Sequence, residues 1–299
     1  MPELPEVEIT ARRLDAALHG ARVESALATG LNVMKTFDPP LEALEGRAVA
    51  TVRRVCKMPV VAFSGEEPPA DAKRRRRRDD SAELSLLVHL MSAGRLQLFD
   101  QQGSLRDRSS RLLVRLDDGR ELRLREFGTR QRAWAKLLPS AEVERDEMVA
   151  TLGPEAWPPP PLERLAELVD LPRHLHPLLR DQRAIAGIGR SWVDEILWEA
   201  RLSPFKQGSE LSSEEVERLH AGLAVLGAAI EHYEEVIGER VPDKLPMPLK
   251  VHRREGEPCP RCGTTIEAVF FSEHQTNYCP TEQTGGRVLK DRRLSRLLK

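Results

Sequence analysis

The residues with the least ordinary chemistry stand at the start of the chain, Met1-Pro2-Glu3. Initiator methionine is normally removed ahead of a small residue such as proline, which leaves Pro2 with a free secondary amine. An α-amine has an unperturbed pKa near ~8, so a usable fraction is neutral and nucleophilic at physiological pH. Such an amine can attack an acetal-like or aldehydic carbon and hold the product as a Schiff base. Glu3, next door, can supply the acid or base that such a reaction needs. Met-Pro starts are common, so this pattern alone does not separate a nucleophile from an ordinary N-terminus. A second cluster, Cys259-x2-Cys262-x16-Cys279, has zinc spacing but offers three thiols where structural zinc takes four ligands. The remaining cysteine, Cys56, is far off in the chain, and four cysteines in 299 residues exclude a disulfide scaffold.

These residues need elements to hold them. Val7, Ala11, Leu14 and Leu18 recur at helical spacing and Gly20 supplies the stop, which predicts a first helix over 5–18. Short β-like runs follow at Val49–Val55, Val60–Phe63, Leu84–Leu90 and Arg95–Phe99. Arg111–Leu116 and Glu121–Arg125 flank the hairpin signal Asp117-Asp118-Gly119-Arg120. A helix leading into antiparallel strands predicts an α+β fold with an N-terminal β-sandwich over 1–140. The stiff run Trp157-Pro158-Pro159-Pro160-Pro161 marks a switch to helical patterning, with helices expected at 161–169, 174–181, 191–201 and 213–236. Ser212 or Ser213 would cap the last of these, ahead of Glu214 and Glu215. A helical domain over 150–245, a zinc-finger-like hairpin over 250–290 and a basic tail over 291–299 complete the expected organisation.

Forty-six basic residues against 47 acidic ones give a net charge of -1, but the average hides an asymmetry. Gly286 to Lys299 carries six basic residues and one acid, whereas Lys206 to Lys244 carries nine acids and four bases. A polyanion binds a local face, so a near-neutral total does not exclude DNA. The run Lys73-Arg74-Arg75-Arg76-Arg77-Arg78, between two strand signals, reads as a solvated loop or a non-specific phosphate contact. No apolar stretch approaches the ~20 residues that span a bilayer. The acidic, proline-broken start is not a secretory signal, so a cytoplasmic protein without a membrane partner is expected.

Pro2-Glu3-Leu4-Pro5-Glu6-Val7-Glu8 resembles the signature start of the formamidopyrimidine-DNA glycosylase / endonuclease VIII family. The resemblance continues in order along the chain. Arg53-Arg54-Val55-Cys56-Lys57 is similar to the family's lysine-bearing β-turn, and His89-Leu90-Met91-Ser92-Ala93-Gly94 to the loop with its wedge methionine. Arg125-Glu126-Phe127-Gly128 resembles the Arg-Arg-Phe-Gly loop. Asp181-Gln182 through Gly187-Ile188-Gly189-Arg190 and Asp194-Glu195 resembles the helix–two-turn–helix element. Gly256-Glu257-Pro258-Cys259-x-x-Cys262-Gly263 resembles the entry to the zinc finger.

The resemblance implies a bifunctional base-excision repair enzyme that acts as a monomer on duplex DNA holding oxidised bases or abasic sites. The Pro2 amine would attack C1′, Glu3 would protonate the ring oxygen, Glu6 would support the site and Lys57 would hold the neighbouring phosphate. Arg125 and Phe127 would fill the gap left by a flipped nucleotide. Gly189, Arg190 and His274 would contact DNA. Zinc would be structural and the chemistry would need no cofactor.

The departures set further expectations. Met91 stands one place before the wedge position, taken by Ser92, and is expected in the core. Glu126, where a second arginine is usual, is expected to pair with a neighbouring basic residue. Arg190 replaces an asparagine and keeps a phosphate-reaching donor. The fourth zinc ligand is Glu282, where the family has cysteine, or His274; the other reading is a zincless hairpin held by Val269, Phe270 and Phe271. The short, proline-rich stretch from Val236 to Val251 leaves oxidised purines and oxidised pyrimidines both open. A relative that has lost base excision, and retains abasic-site cleavage or damaged-DNA binding, is the alternative.

Overall fold

The computed structural model describes residues 2–30, 32–65, 83–127, 130–271 and 274–289, with the side chains of Phe271 and His274 outside that description. The basic run 73–78, Gly128 and the tail 291–299 also lie outside the described residues.

Two compact units divide the chain. The first comprises Met1–Thr151 with Tyr233–Leu245, and the second Leu152–His232 with Pro246–Lys299. This departs from the division expected from the sequence. Residues 233–245 belong with the N-terminal unit, and the cysteine hairpin belongs with the helices.

In the first unit, α1 (Leu4–Leu18) precedes eight strands: β1 (Val23–Ala28), β2 (Val49–Val55), β3 (Met58–Phe63), β4 (Leu84–His89), β5 (Gly94–Phe99), β6 (Ser110–Leu116), β7 (Glu121–Glu126) and β8 (Trp134–Pro139). They form two antiparallel four-stranded sheets, ordered β1-β6-β7-β5 and β2-β3-β4-β8. Val7, Ala11, Leu14 and Leu18 of α1 share one core with Val52, Val61, Phe63, Leu86 and Val88 of one sheet and Leu96, Leu112, Val114 and Leu124 of the other. Such burial is the main favourable contribution to holding the helix in place. β1 and β8 carry no clean alternation of apolar residues, which is why the sequence pattern passes over them.

Polar contacts fix how α1 lies along β2. Asp15 Oδ1 accepts the Val52 amide at 2.6 Å and the Thr51 hydroxyl at 2.9 Å. Two turns nearer the start of the helix, on the same face, Glu8 accepts from Arg54 Nε at 2.5 Å and from Arg12 Nε at 2.7 Å. Arg54 also reaches the Cys56 carbonyl in the β2–β3 turn, at 3.3 Å. Cys56 takes a left-handed conformation, φ 54°, so that Val55 and Met58 pair across a two-residue turn. Lys57 is the other turn residue.

The second unit contains α2 (Leu162–Val169), α3 (Leu175–Leu179), α4 (Arg190–Glu199), α5 (Ser213–Gly222), the first part of α6 (Ala224–Val236), the hairpin β9 (Glu267–Phe271) and β10 (His274–Tyr278), and the short α7 (Pro280–Thr284). Ser212 caps α5, with its Oγ on the Glu215 amide and Glu215 Oε2 on the Ser212 amide. The single helix expected over 213–236 is interrupted at Leu223, whose amide is shared between the Leu219 and His220 carbonyls, each at 3.2 Å. The hairpin is held by α4. Glu195 accepts the Lys250, Val251 and His252 amides, and Asp194 Oδ2 accepts from His252 Nδ1 at 2.7 Å and the Asn277 amide at 3.1 Å.

The Glu8 tie gives a pH test. Burial raises the Glu8 carboxyl, but Arg12 and Arg54 together bring it below the ordinary glutamate range. Its folded pKa is therefore depressed, so the pair's contribution is complete above the ordinary glutamate pKa and vanishes as pH falls through the lowered value. Glu8→Gln is expected to cost about 1 kcal/mol at neutral pH. In urea denaturation the variant and the parent should converge in strongly acidic buffer.

Candidate active site and metal centre

The N-terminal motif folds into the mouth of α1. Glu3 is the N-cap residue and Leu4-Pro5 open the first turn, where proline's missing donor costs no helical bond. Glu6, three residues on, turns back so that its Oε2 accepts the Glu3 amide at 2.8 Å. Its other oxygen, Oε1, accepts the Tyr233 hydroxyl at 2.7 Å. Pro2, Glu3 and Glu6 are all buried, and the backbone that carries the Pro2 nitrogen is fixed through this carboxylate. Lys57 sits half-buried at the β2–β3 turn, tied to α1 through Arg54 and Glu8.

Lys57 also makes itself felt at His89, whose pKa is lowered first by burial and then by the Lys57 charge. The His89 ring stacks on Trp134, and its Nδ1 accepts the Met91 amide at 3.1 Å. That bond assigns the remaining ring proton to Nε2, leaving a neutral imidazole with a donor. The loop after it corrects the expectation for Met91. Instead of entering the core, Met91 takes a left-handed turn conformation, φ 49°, and stays half-buried, with Ser92 exposed. Gly94 is needed there, since a Cβ would lie 2.3 Å from the Leu90 carbonyl oxygen.

Arg125, near the end of β7, lies against the Phe127 ring at 4.6 Å and the Phe99 ring at 5.4 Å. Its Nη1 reaches Asp243 Oδ1 at 3.2 Å. Asp243 also receives Gln97 Nε2 at 3.0 Å, and its carbonyl receives Arg95 Nε at 2.9 Å. Glu126 does not pair with a basic residue as expected. It is buried and its Oε2 accepts the Ala133 amide at 2.9 Å, so it clasps the base of the loop that starts at Phe127. The substitution is accommodated because β7's alternation turns this residue inward, away from the face that carries Arg125.

In the second unit Gly189 is the N-cap of α4 and Arg190, exposed, its first residue. Gln182 knits the preceding turn, donating to the Arg180 and Ile188 carbonyls and accepting the Gly187 amide. A glycine cap brings no side chain to the first amides of α4, the arrangement suited to a phosphate. His274 opens β10, its backbone paired with Phe271.

The Cys259, Cys262 and Cys279 sulfurs lie within 4.8 Å of one another, with Cys262 and Cys279 at 3.4 Å. Tetrahedral zinc with bonds near 2.3 Å separates its sulfurs by roughly 3.7–3.8 Å, so the trio fits. Trp198 Nε1 points at Cys259 Sγ from 3.4 Å, an outer contact of the type that steadies a thiolate ligand. Burial pushes the Cys279 thiol up to about 12, with the Glu282 amide pulling the other way, so an added cation has a proton to displace. Trp198, Val251 and Ile266 pack around Cys259 and Cys279. Of the alternative apolar clasp, Val269 is buried and Phe270 is half exposed. Zinc bound here would tie the Cys259–Cys262 segment ahead of β9 to Cys279 just after β10. Glu282 is a correction: its carboxylate is outside the thiol group, held by Arg201 Nε at 3.1 Å and Arg261 Nη1 at 3.3 Å.

Sequence reasoning did not assign Tyr233, Asp243 or His89. Only His89 had a signal, its place at the head of the His-Leu-Met-Ser-Ala-Gly segment; the other two are brought in by chain return.

Three domain descriptions match in order: the formamidopyrimidine-DNA glycosylase N-terminal domain over residues 1–131, the H2TH domain of the same enzymes over 161–240, and the zinc finger found in FPG and IleRS over 256–281. Together with the sandwich, helical and cysteine-hairpin elements, they define the architecture of a DNA glycosylase. A formamidopyrimidine-DNA glycosylase of Roseiflexus sp. is 33% identical over 94% of this chain and 98% of its own. The crystal structure of MutM (Fpg) from Thermus thermophilus is similar with a TM-score of 0.75 and 28% identity, over 94% of this chain and 98% of that one. Lactococcus lactis Fpg bound to oxidised-pyrimidine DNA has a TM-score of 0.78 and 25% identity, over 95% and 100%. The chain belongs to the formamidopyrimidine-DNA glycosylase family.

Metal content tests the ligand assignment. Cys262→Ser should lower zinc per chain and the thermal midpoint, whereas Glu282→Gln should leave zinc per chain unchanged by atomic absorption. Loss of zinc in Glu282→Gln would return that residue to the ligand set.

Proposed function

We propose that this chain removes an oxidised base from duplex DNA and then cuts the strand through a covalent bond between the Pro2 nitrogen and C1′ of the damaged nucleotide. One observation carries the reading: both oxygens of the buried Glu6 carboxylate are engaged, one by the Glu3 amide, so the backbone next to the amine is fixed. With Met1 removed, the Pro2 nitrogen donates its lone pair to C1′ while the C1′–base bond breaks, and the base leaves with the proton that the nitrogen sheds. Glu3 protonates the ring oxygen as the sugar opens, and the nitrogen becomes part of an iminium cation. That cation draws electrons from C2′, so a base can take the C2′ proton as the C3′–O bond breaks. A second elimination releases the other phosphate, and water hydrolyses the imine to free Pro2.

The surrounding residues suit this role. Lys57, on a hairpin tethered to α1, would neutralise the phosphate beside the lesion. The stacked Arg125 and Phe127 would enter the gap left by the flipped nucleotide, at the cost of a few kcal/mol of base stacking that their contacts offset. The α4 start at Gly189 and Arg190, and the His274 hairpin, would grip the backbone elsewhere. No helix among the described residues is long and apolar enough to cross a membrane, and a cytoplasmic place beside the DNA agrees with this activity.

Borohydride reduction tests the reading, because it fixes an imine as a stable amine. Duplexes with an abasic site, an oxidised purine or an oxidised pyrimidine should yield covalent adducts on the abasic duplex and at least one lesion. Lys57→Ala should lower strand cleavage by about tenfold or more. Glu3→Gln should lose base release while still trapping abasic DNA. Adducts on abasic DNA alone would favour a relative without base excision, and no adduct at all would overturn the proposal.

A further inference from the structure

Tyr233 stands far from the N-terminal motif in sequence, on the α6 segment that belongs to the first unit. It is completely buried, and its one polar atom is 2.7 Å from Glu6 Oε1. Burial, and then the Glu6 charge, raise its pKa far above the ordinary phenol range, so the hydroxyl is a donor at every working pH. Glu6 spends its other oxygen on the Glu3 amide. A continuous chain therefore runs from the Tyr233 hydroxyl through the Glu6 carboxylate to the backbone of the residue that follows Pro2. We propose that Tyr233 is a positioning residue for the glycosylase reaction, holding the Glu6 carboxylate ionised and aimed so that the Pro2 nitrogen and Glu3 keep their reactive placement.

The chemistry requires such a partner. The iminium formed on Pro2 is a new positive charge in a buried setting, and an ionised carboxylate nearby lowers its energy. A hydrogen bond donated to the charged form of a carboxyl group favours that form, and a protonated Glu6 would offer the cation much less. Several charged or polar groups surround this carboxylate. Tyr233 donates from α6, Glu3 adds like charge from the cap, and Arg95 on β5, partly buried, is within electrostatic reach of both Glu6 and Asp243. Two residues further along α1, Glu8 is paired with Arg54 of β2. Arg95 acts as a diffuse positive charge, whereas Tyr233 supplies a directed bond to Oε1. The next residues, Glu234 with Arg13 and the Gly238 carbonyl with Arg13 Nε, pin the same segment against α1. Tyr233 is thus held in place by contacts other than its own hydroxyl.

This inference rests on the Pro2 reading, and the test keeps the two apart. Tyr233→Phe removes one oxygen and keeps the buried ring. Rates of borohydride-trapped adduct formation on abasic duplex are measured across pH for the parent, Tyr233→Phe, Glu6→Gln and the double variant, with duplex affinity measured alongside. Tyr233→Phe should reduce the single-turnover trapping rate roughly tenfold with affinity unchanged, and should move the acid limb of the profile upward by about one pH unit. In the Glu6→Gln background the same change should have no effect on the acid limb, because its titrating partner is gone. A parental pH profile in Tyr233→Phe, or an equal shift in the Glu6→Gln background, would overturn the positioning role. If Tyr233→Phe folds poorly, Tyr233→Met and Tyr233→Leu, compared at matched folded fraction, must show the same displaced limb. An absence of adduct in the parent protein would sink the Pro2 reading itself, and the Tyr233 proposal with it.

Discussion

The reactive end of the molecule depends on one buried carboxylate. Glu6 lies in the first turn of α1, and a charge in that position is costly unless both oxygens are satisfied. Here they are, by the Glu3 amide on one side and the Tyr233 hydroxyl on the other. The nearby helix N-terminus also favours negative charge. The result is an N-terminus, normally the most mobile part of a chain, that is ordered by hydrogen bonds at Glu3, the residue after Pro2. Catalysis by a terminal amine needs that ordering, since an amine free to wander forfeits the advantage of proximity.

Everything else in the first unit transmits this constraint. α1 is sunk between two sheets, Asp15 and Glu8 fasten its exposed face to β2, and Arg54 carries the connection on to the turn that bears Lys57. The candidate nucleophile and the candidate phosphate holder thus sit on elements joined by directional contacts. The second unit solves a different problem with similar means. Asp194 and Glu195, buried on α4, gather backbone amides from the hairpin and its approach, and the three thiols close the same structure from the other end. In both units carboxylates do the joining.

Much of this was legible in the residues. The apolar spacing of Val7, Ala11, Leu14 and Leu18 predicts α1, the Asp-Gly turn predicts β6–β7, and the cysteine spacing predicts a hairpin with a metal-sized group of sulfurs. What could not be read depends on contacts between distant parts of the chain. Tyr233 meets Glu6 across 227 positions, and its neighbours in sequence look like an ordinary helix face. Glu282 occupies a ligand's place in the pattern, yet two arginines, Arg201 and Arg261, claim its carboxylate. Strand alternation points Met91 into the core, an expectation that fails once the backbone turns left-handed. Glu126 was matched by sign to a basic partner, while strand direction gave it a backbone amide instead.

The central claim is that the carboxylate-ordered N-terminus performs the covalent step. The most direct measurement is to digest the borohydride-reduced adduct on abasic DNA and locate the modified residue by mass spectrometry. The account predicts that the sugar remnant is found on the α-nitrogen of the peptide beginning at Pro2, with Met1 absent. A remnant on Lys57, or on any other lysine, would contradict it.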